Sequence, residues 1–451
     1  MAIIKNRDAL AKTSLRKQAL DIIEAGINRV LPPNVIRSTV SYDPTRQVLT
    51  VSGDSYHLSR SRVFVIGGGK ASGLMAETLE SILLPAKITA GIINVKSADA
   101  NTRRIRLITA GHPIPDERGI NGVKEMLALK QRYTIGESDL VLCLISGGGS
   151  ALMPYPASGV SLKDKRKITE LLISSGAEIA EINTVRKHLS QVKGGQLGAY
   201  FAPTRVVSLI LSDVIGNDLS VIASGPTSPD PTTFADAHKI LEQHQLLTKA
   251  PRSVASFLEQ GGQGKVAETP KTLNNCHNYI IGDNRLALEA MKNKAQEMGF
   301  TPYIITAQQS GDTTTAAQSR AEEILGARYA GYDALLIGGE TTPKLPTPAG
   351  RGGRNQHFAT ASILAMAPYP GEWVVASVGS DGSDFLPEVA GAIVDHNSLG
   401  KAKKEKIDVK AYLDRYDSNT LLEQLGGSLI ITGATGTNVG DIMLYLFRTS
   451  L

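Results

Sequence analysis

Cysteine is scarce in this chain: Cys143 and Cys276 are the two in 451 residues, each in or beside an apolar run, with no CxxC spacing. That excludes a disulfide framework and a thiolate metal site, and it points to buried thiols in a reducing compartment. No apolar run approaches the length of a membrane span. The N-terminus has no apolar signal core, and Asp8, Asp21 and Glu24 argue against a transit peptide. A cytoplasmic protein without membrane attachment is the expectation. Strong charge of one sign is missing too. A net charge of +5 without a long basic run leaves no footprint for nucleic acid, though it suits an anionic small substrate. Repeats, heptads, low-complexity segments and a Ser-His-Asp order are also absent.

Hydrophobic residues at 42% and charged residues at 20% describe a globular protein, and the length calls for two domains or three. The 44 glycines gather at the ends of apolar runs rather than in linkers. Gly338 to His357 shows why. Ala334-Leu335-Leu336-Ile337 reads as a buried strand and Phe358 to Met366 as a helix, with Gly-Gly-Glu-Thr-Thr and Gly-Arg-Gly-Gly-Arg-Asn-Gln-His between them. Glycines at a helix N-terminus let backbone N–H groups close on an anion, and Arg351 and Arg354 add charged forks for phosphate or carboxylate. Glu340 lies just upstream.

The same grammar recurs. Val63 to Ile66 is a strand that runs into Gly67-Gly68-Gly69-Lys70-Ala71-Ser72-Gly73, a phosphate cradle carrying a lysine at a strand's carboxyl end. Phe64 and Ala71 stand where a Walker A loop needs Gly and Ser or Thr. Ser72 and the acid-free run Ile92 to Lys96 break the dinucleotide fingerprint as well. Leu140 to Ile145 leads into Ser146-Gly147-Gly148-Gly149-Ser150, so Gly68, Gly69, Ser146, Gly147, Gly148 and Ser150 are candidate substrate-binding positions. His112 is equally readable as loop scaffold or ligand. On a helix, Arg186, Ser190 and Lys193 would share a basic face, open either to solvent or to an anion. Asp213 and Asp381 each follow a strand, where a metal or hydroxyl partner belongs.

Leu15, Ala19, Ile22, Ile23, Ile27 and Val30 predict a leading amphipathic helix ended by Pro32-Pro33, and Val40 to Leu58 a β-rich connector. The domain junction is expected in Pro251 to Asn275, giving domains 1–260, with the leading helix, and 275–451, whose first strand is Tyr279 to Ile281. Phosphate cradles, one lysine, paired arginines and strand-end aspartates are what phosphoryl transfer needs, because its catalysis is mostly positioning and charge neutralisation.

Ile66-Gly-Gly-Gly-Lys-Ala, Ser146-Gly-Gly-Gly-Ser-Ala, Asn183-Thr-Val-Arg-Lys-His-Leu-Ser, Ser212-Asp-Val-Ile-Gly, Gly338-Gly-Glu-Thr-Thr, Gly350-Arg-Gly-Gly-Arg-Asn-Gln and Thr435-Gly-Thr-Asn together resemble the glycerate 2-kinase family, whose C-terminal half is called MOFRL. The resemblance spans essentially the whole chain. It implies two α/β domains, the N-terminal one a Rossmann-like three-layer sandwich, with the active site in the interdomain cleft. It also implies ATP-dependent phosphorylation of D-glycerate on the 2-hydroxyl with Mg²⁺, and Lys70, Arg354 and Asp381 as catalytic residues. Position and chemistry make Glu340 and Asp213 candidates for Mg²⁺ or substrate hydroxyls, and Arg351 one for the glycerate carboxylate. Ser380 and Phe385-Leu386 depart from the family's usual residues around Asp384, which leaves that aspartate without a role. Some family members carry a hydroxypyruvate reductase label, against which the broken fingerprint stands. A non-catalytic sugar-phosphate sensor is the other alternative; it would not need Asp381 and Asp213. A homodimer is compatible with the sequence, which carries no signal for oligomeric state.

Overall fold

Runs of β-branched and large apolar residues with no polar alternation need cover on both faces, and the computed structural model, which describes residues 2–448, buries every residue of Val63–Gly68 and Leu140–Ser146. The chain divides into two compact units, Val35–Ile281 and Met1–Asn34 with Gly282–Leu451.

The first is a parallel-sheet unit. Its strand order is Ile105–Thr109, Ile88–Val95, Val63–Gly68, Leu140–Ser146, Arg205–Leu211 and Cys276–Gly282. The first five run parallel. The chain leaves Val63–Gly68 toward one edge and returns on its other side at Leu140–Ser146. The two strands therefore flank the topological switch point, where open α/β sheets bind ligands. Phe64 and Ile66 pack on Val123, Met126 and Leu129 of the helix Glu117–Arg132. Helices Leu162–Ser174, Ile179–His188, Phe234–Gln243 and Arg252–Gly262 share a separate core built on Ile168, Leu172, Val185, Leu241 and Val254. The expected connector is an antiparallel three-stranded sheet, Val40–Asp43, Val48–Val51 and Asp54–His57.

Two boundary expectations are corrected. Helix Arg252–Gly262 lies inside the first unit's helical core, and Cys276–Gly282 completes the first sheet instead of opening the second. The leading helix belongs with the other unit. Its Arg16 Nε stands 2.6 Å from Asp395 Oδ2, both buried, and a Cβ on its Gly26 would meet Met291 at 2.7 Å and Ile442 at 3.2 Å. Pro32 and Pro33 do not stop that helix, which ends at Arg29; they start the next one, Pro32–Thr39, where a missing N–H costs nothing.

The second is a mixed-sheet unit, ordered Pro302–Gln309, Ala334–Gly339, Asp441–Arg448, Glu372–Gly379, Gly391–Asp395 and Leu429–Ile430. Its last strand, Asp441–Arg448, lies antiparallel between Ala334–Gly339 and Glu372–Gly379. Asp441 is thus registered against both Gly339 and Gly379, at the carboxyl ends of the two strands that carry the motifs.

Candidate active site

At the switch point of the parallel sheet the two glycine loops bind each other. Lys70 N–H donates to Gly147 O (2.9 Å) and Ala71 N–H to Ser146 Oγ (3.0 Å), while the Ser72 and Ser146 hydroxyls lie 3.2 Å apart. Those N–H groups are spent inside the protein. Gly69 is glycine because a Cβ there would fall 2.0 Å from Ser146 Oγ. Gly68 is pinned in the same way by Met153 at 2.7 Å. Both glycines therefore serve loop packing, and what the loops present is side chains. Gly148, at φ 81°, is where they meet: a Cβ there would stand 2.9 Å from the His112 ring and 3.1 Å from Lys70 Cγ. Burial, Lys70 and Lys96 hold the half-buried His112 below its ordinary pKa, so it is a neutral neighbour of the lysine. Ser150 shares a 2.7 Å hydrogen bond with Ser224. Asp213 follows the adjacent strand, Arg205–Leu211.

The basic segment does not form one helical face. Its helix ends at His188 and Lys193 lies in the turn beyond. Lys187 is buried against Asp230 at 2.7 Å, whereas Arg186 and Lys193 line a cavity.

In the mixed-sheet unit, helix Arg354–Ala365 begins with three side chains tied to carboxylates. Arg354 donates from Nε to Asp441 Oδ2 (2.5 Å), from Nη2 to Asp441 Oδ1 (3.1 Å) and from Nη1 to Glu340 Oε1 (2.8 Å). Asn355 Nδ2 reaches Asp441 Oδ1 (2.9 Å) and Asp384 Oδ1 (3.2 Å). Backbone N–H groups of Asn355 and Gln356 donate to the two oxygens of Asp384 at 3.0 and 2.9 Å. The anion that the sequence predicts at this helix N-terminus is thus the protein's own Asp384, and Gly353 gives it room, since a Cβ there would fall 2.1 Å from Asp384 O. Burial pushes the Asp384 carboxyl up to about 6, against the pull of those N–H donors. Fully buried Asp441 is also pushed up by desolvation, against Arg354. Burial alone would lower the Arg354 pKa, but Asp441, Glu340 and Asp384 raise it, so the guanidinium keeps its charge.

Asp381 sits in the turn after Glu372–Gly379, its Oδ1 accepting Ser383 N–H (3.0 Å) and its carbonyl accepting Thr435 N–H (3.2 Å). It is close enough to Asp441 to oppose that group's ionisation. Arg351 is half-exposed and pairs with Glu423 at 3.3 Å and Glu388 at 3.7 Å. Among the described residues no cluster of three or more His, Cys, Asp or Glu could hold a metal ion by itself. Nor is any helix among them long and apolar enough to cross a membrane. Asp441 escaped the sequence reading. Its signal was an acid opening the apolar run Ile442 to Phe447.

Comparison with known proteins agrees with these two regions. Residues 18–259 match a domain of unknown function, DUF4147, and residues 333–441 the MOFRL family. The glycerate 2-kinase of Pyrococcus horikoshii is 40% identical, covering 94% of this chain and 97% of its own. A protein of Agrobacterium vitis bearing a hydroxypyruvate reductase name is 38% identical over 86% of this chain and 87% of its own. The crystal structure of the Thermotoga maritima glycerate kinase superposes with a TM-score of 0.84 at 36% identity, covering 96% of this chain and 100% of that one.

Proposed function

On the premise that this chain belongs to the glycerate 2-kinase family, we propose that it moves the terminal phosphoryl group of ATP to the 2-hydroxyl of D-glycerate, giving 2-phosphoglycerate. One observation carries the assignment of roles: Arg354 is held by Asp441 and Glu340 at the carboxyl ends of the two strands that flank Asp441–Arg448, beside the Asp381 turn. Three of its five N–H groups are engaged, which fixes the plane of the fork and leaves two for phosphoryl oxygens. Lys70 at the switch point supplies the second positive charge. Asp381 orients the attacking hydroxyl or takes its proton. Mg²⁺ at such enzymes is commonly held by one or two carboxylates and by the nucleotide's phosphates, which fits the absence of a protein cage; Asp213 and Glu340 are the carboxylates proposed for it. When bound, it would neutralise phosphate charge. The reductase reading draws support from the names of two relatives, but Ser72 stands where the dinucleotide fingerprint needs Gly or Ala, and Lys96 follows a strand that should end in an acid.

Regiochemistry follows from positioning. A clamp on the carboxylate holds the adjacent 2-hydroxyl at a nearly fixed distance, while the 3-hydroxyl lies one rotating bond further out. Enolase consumes 2-phosphoglycerate directly, and 3-phosphoglycerate only after a mutase. Product signal through enolase without added mutase is expected; signal that requires the mutase would reject the 2-kinase reading.

A further inference from the structure

Beside the Lys70 loop the parallel-sheet unit encloses a cavity of about 350 Å³ reached by three buried or half-buried cations from separate segments. Lys165 comes from helix Leu162–Ser174, Arg186 from Ile179–His188, and Lys193 from the turn that follows. Lys165 and Lys193 are 7% and 2% exposed. Their ammonium groups touch only main-chain oxygens: Leu189 O at 2.7 Å and Ala223 O at 3.5 Å. Among the described residues no carboxylate stands within ion-pair distance of any of the three. Glu170, on the same wall, is an exposed partner of Lys167 instead. Arg166, also lining the cavity, has a buried Nε without a hydrogen-bond partner. The contrast with Lys187, buried on Asp230, shows how the same fold treats a cation that it neutralises itself. Burying charge without a partner is expensive, so a missing counter-ion is the natural occupant.

The wall is built under strain. Ala223 and Ser224 hold φ of 52° and 62°, a left-handed conformation costly for residues with a Cβ. The result aims Ala223 O at Lys193 and ties Ser224 Oγ to Ser150 Oγ and to Asn183 Oδ1. Gly148 borders both this cavity and Lys70.

Resting on the kinase reading above, we infer that this cavity is the carboxylate clamp for the acceptor acid, with Lys165, Arg186 and Lys193 as counter-ions and the Ser150 hydroxyl at its mouth. The volume lies near the lower end of ligand pockets and suits a three-carbon acid better than a nucleoside triphosphate. Its place next to Lys70 sets the carboxylate-bearing end of the acceptor beside the group assigned to the phosphoryl transfer. Desolvation and Arg186 lower Lys193 to about 7, and burial, Lys193 and Arg186 hold Lys165 well below its ordinary value; a bound carboxylate would restore both charges.

Titration calorimetry of D-glycerate, with steady-state KM for glycerate and for ATP, tests this on the whole enzyme. Lys193→Met and Arg186→Gln should each weaken glycerate binding and raise its KM ten- to a hundredfold, the worth of a charged hydrogen bond, with KM for ATP within about twofold. Arg186→Gln, at a half-buried site, keeps the test open should Lys193→Met fail to fold. Unchanged glycerate affinity in a folded, active variant overturns the clamp and leaves the kinase reading standing. A raised KM for ATP alone gives the cavity to nucleotide phosphate and also overturns it. A wild-type enzyme that neither binds nor turns over glycerate removes both.

Discussion

Two regions of this molecule share one grammar of strand, glycine turn and helix, and resolve charge in opposite ways. In the parallel-sheet unit Lys165, Arg186 and Lys193 surround a cavity without an acidic partner. In the mixed-sheet unit Arg354 is enclosed by Asp441, Glu340 and, through Asn355, Asp384. The first arrangement waits for an anion. The second already contains its anions, so its cation is aimed instead of available. A glycine-rich turn before a helix therefore does not by itself mean an open anion site, because the protein's own carboxylate can fill it as Asp384 does.

The sharpest way to break this comparison is Arg354→Ala. It removes a transition-state cation and leaves Asp441 buried and unpaired, so kcat should fall a hundredfold or more and stability by about 3 kcal/mol. Adding Asp441→Asn should recover much of the stability and none of the rate. Urea melts and single-turnover kinetics would separate the two, and a double variant as unstable as the single would mean that the pair does not behave as a buried salt bridge. Lys70→Ala should cost kcat about a hundredfold while the chain still folds, because the loop itself is held by the Lys70 and Ala71 backbone N–H groups and Ser146. Near-normal turnover would reduce Lys70 to a surface residue. Lys187→Met inverts that pattern. It strips Asp230 of its buried partner and should cost about 3 kcal/mol of stability while leaving glycerate KM within about twofold. A selective rise in KM would place Lys187 with the cavity cations instead.

How much of this was legible depended on whether the signal was local. The strand-end placements of Lys70, Asp213, Glu340 and Asp381, and that of Arg354 at a helix N-terminus, followed from apolar runs broken by glycine, and the structure keeps them. Asp441 was not legible as a partner of Arg354, because 87 residues separate them and only sheet order brings them together. Lys165 was hidden in the charged run Lys163 to Lys167, which reads as a solvated helix face. Lys193 was mistaken for part of a helix that stops at His188. The leading helix went to the wrong unit because amphipathic periodicity gives a face to bury but not the sheet that buries it.

The two regions should also respond to pH on opposite sides of neutrality. Lys193 is lowered from 10.5 to about 7 in the folded chain, so from about pH 7 to 9, below the range where the buried thiols Cys143 and Cys276 act with opposite sign, the unfolded state binds more protons and the parallel-sheet unit gains stability as pH rises. The mixed-sheet unit carries groups that act below neutrality and against each other: His357 on one side, and Asp384 with Asp441, whose carboxyl burial also raises, on the other. Burial lowers His357, which is stacked on Tyr416, from 6.5 to about 4, so acidification through that window favours the unfolded chain. Asp384 is raised from 3.8 to about 6, so the folded state binds the extra proton and acidification favours folding. At pH 5 each contributes roughly 1–2 kcal/mol, with opposite sign. Asp312 and Asp417, held low, act only below about pH 4. Wild type should therefore fall between the two single variants over pH 6.5 to 4.5. His357→Gln, which leaves Asp384 unopposed, should grow more stable relative to its own pH 7 value on acidification. Asp384→Asn, which removes one of the carboxyls that oppose His357, should lose stability relative to wild type over the same range. Amide exchange in the strand Glu372–Gly379, corrected for intrinsic rates, reads this unit alone. Parallel slopes for the two variants would show that the balance lies elsewhere in the unit.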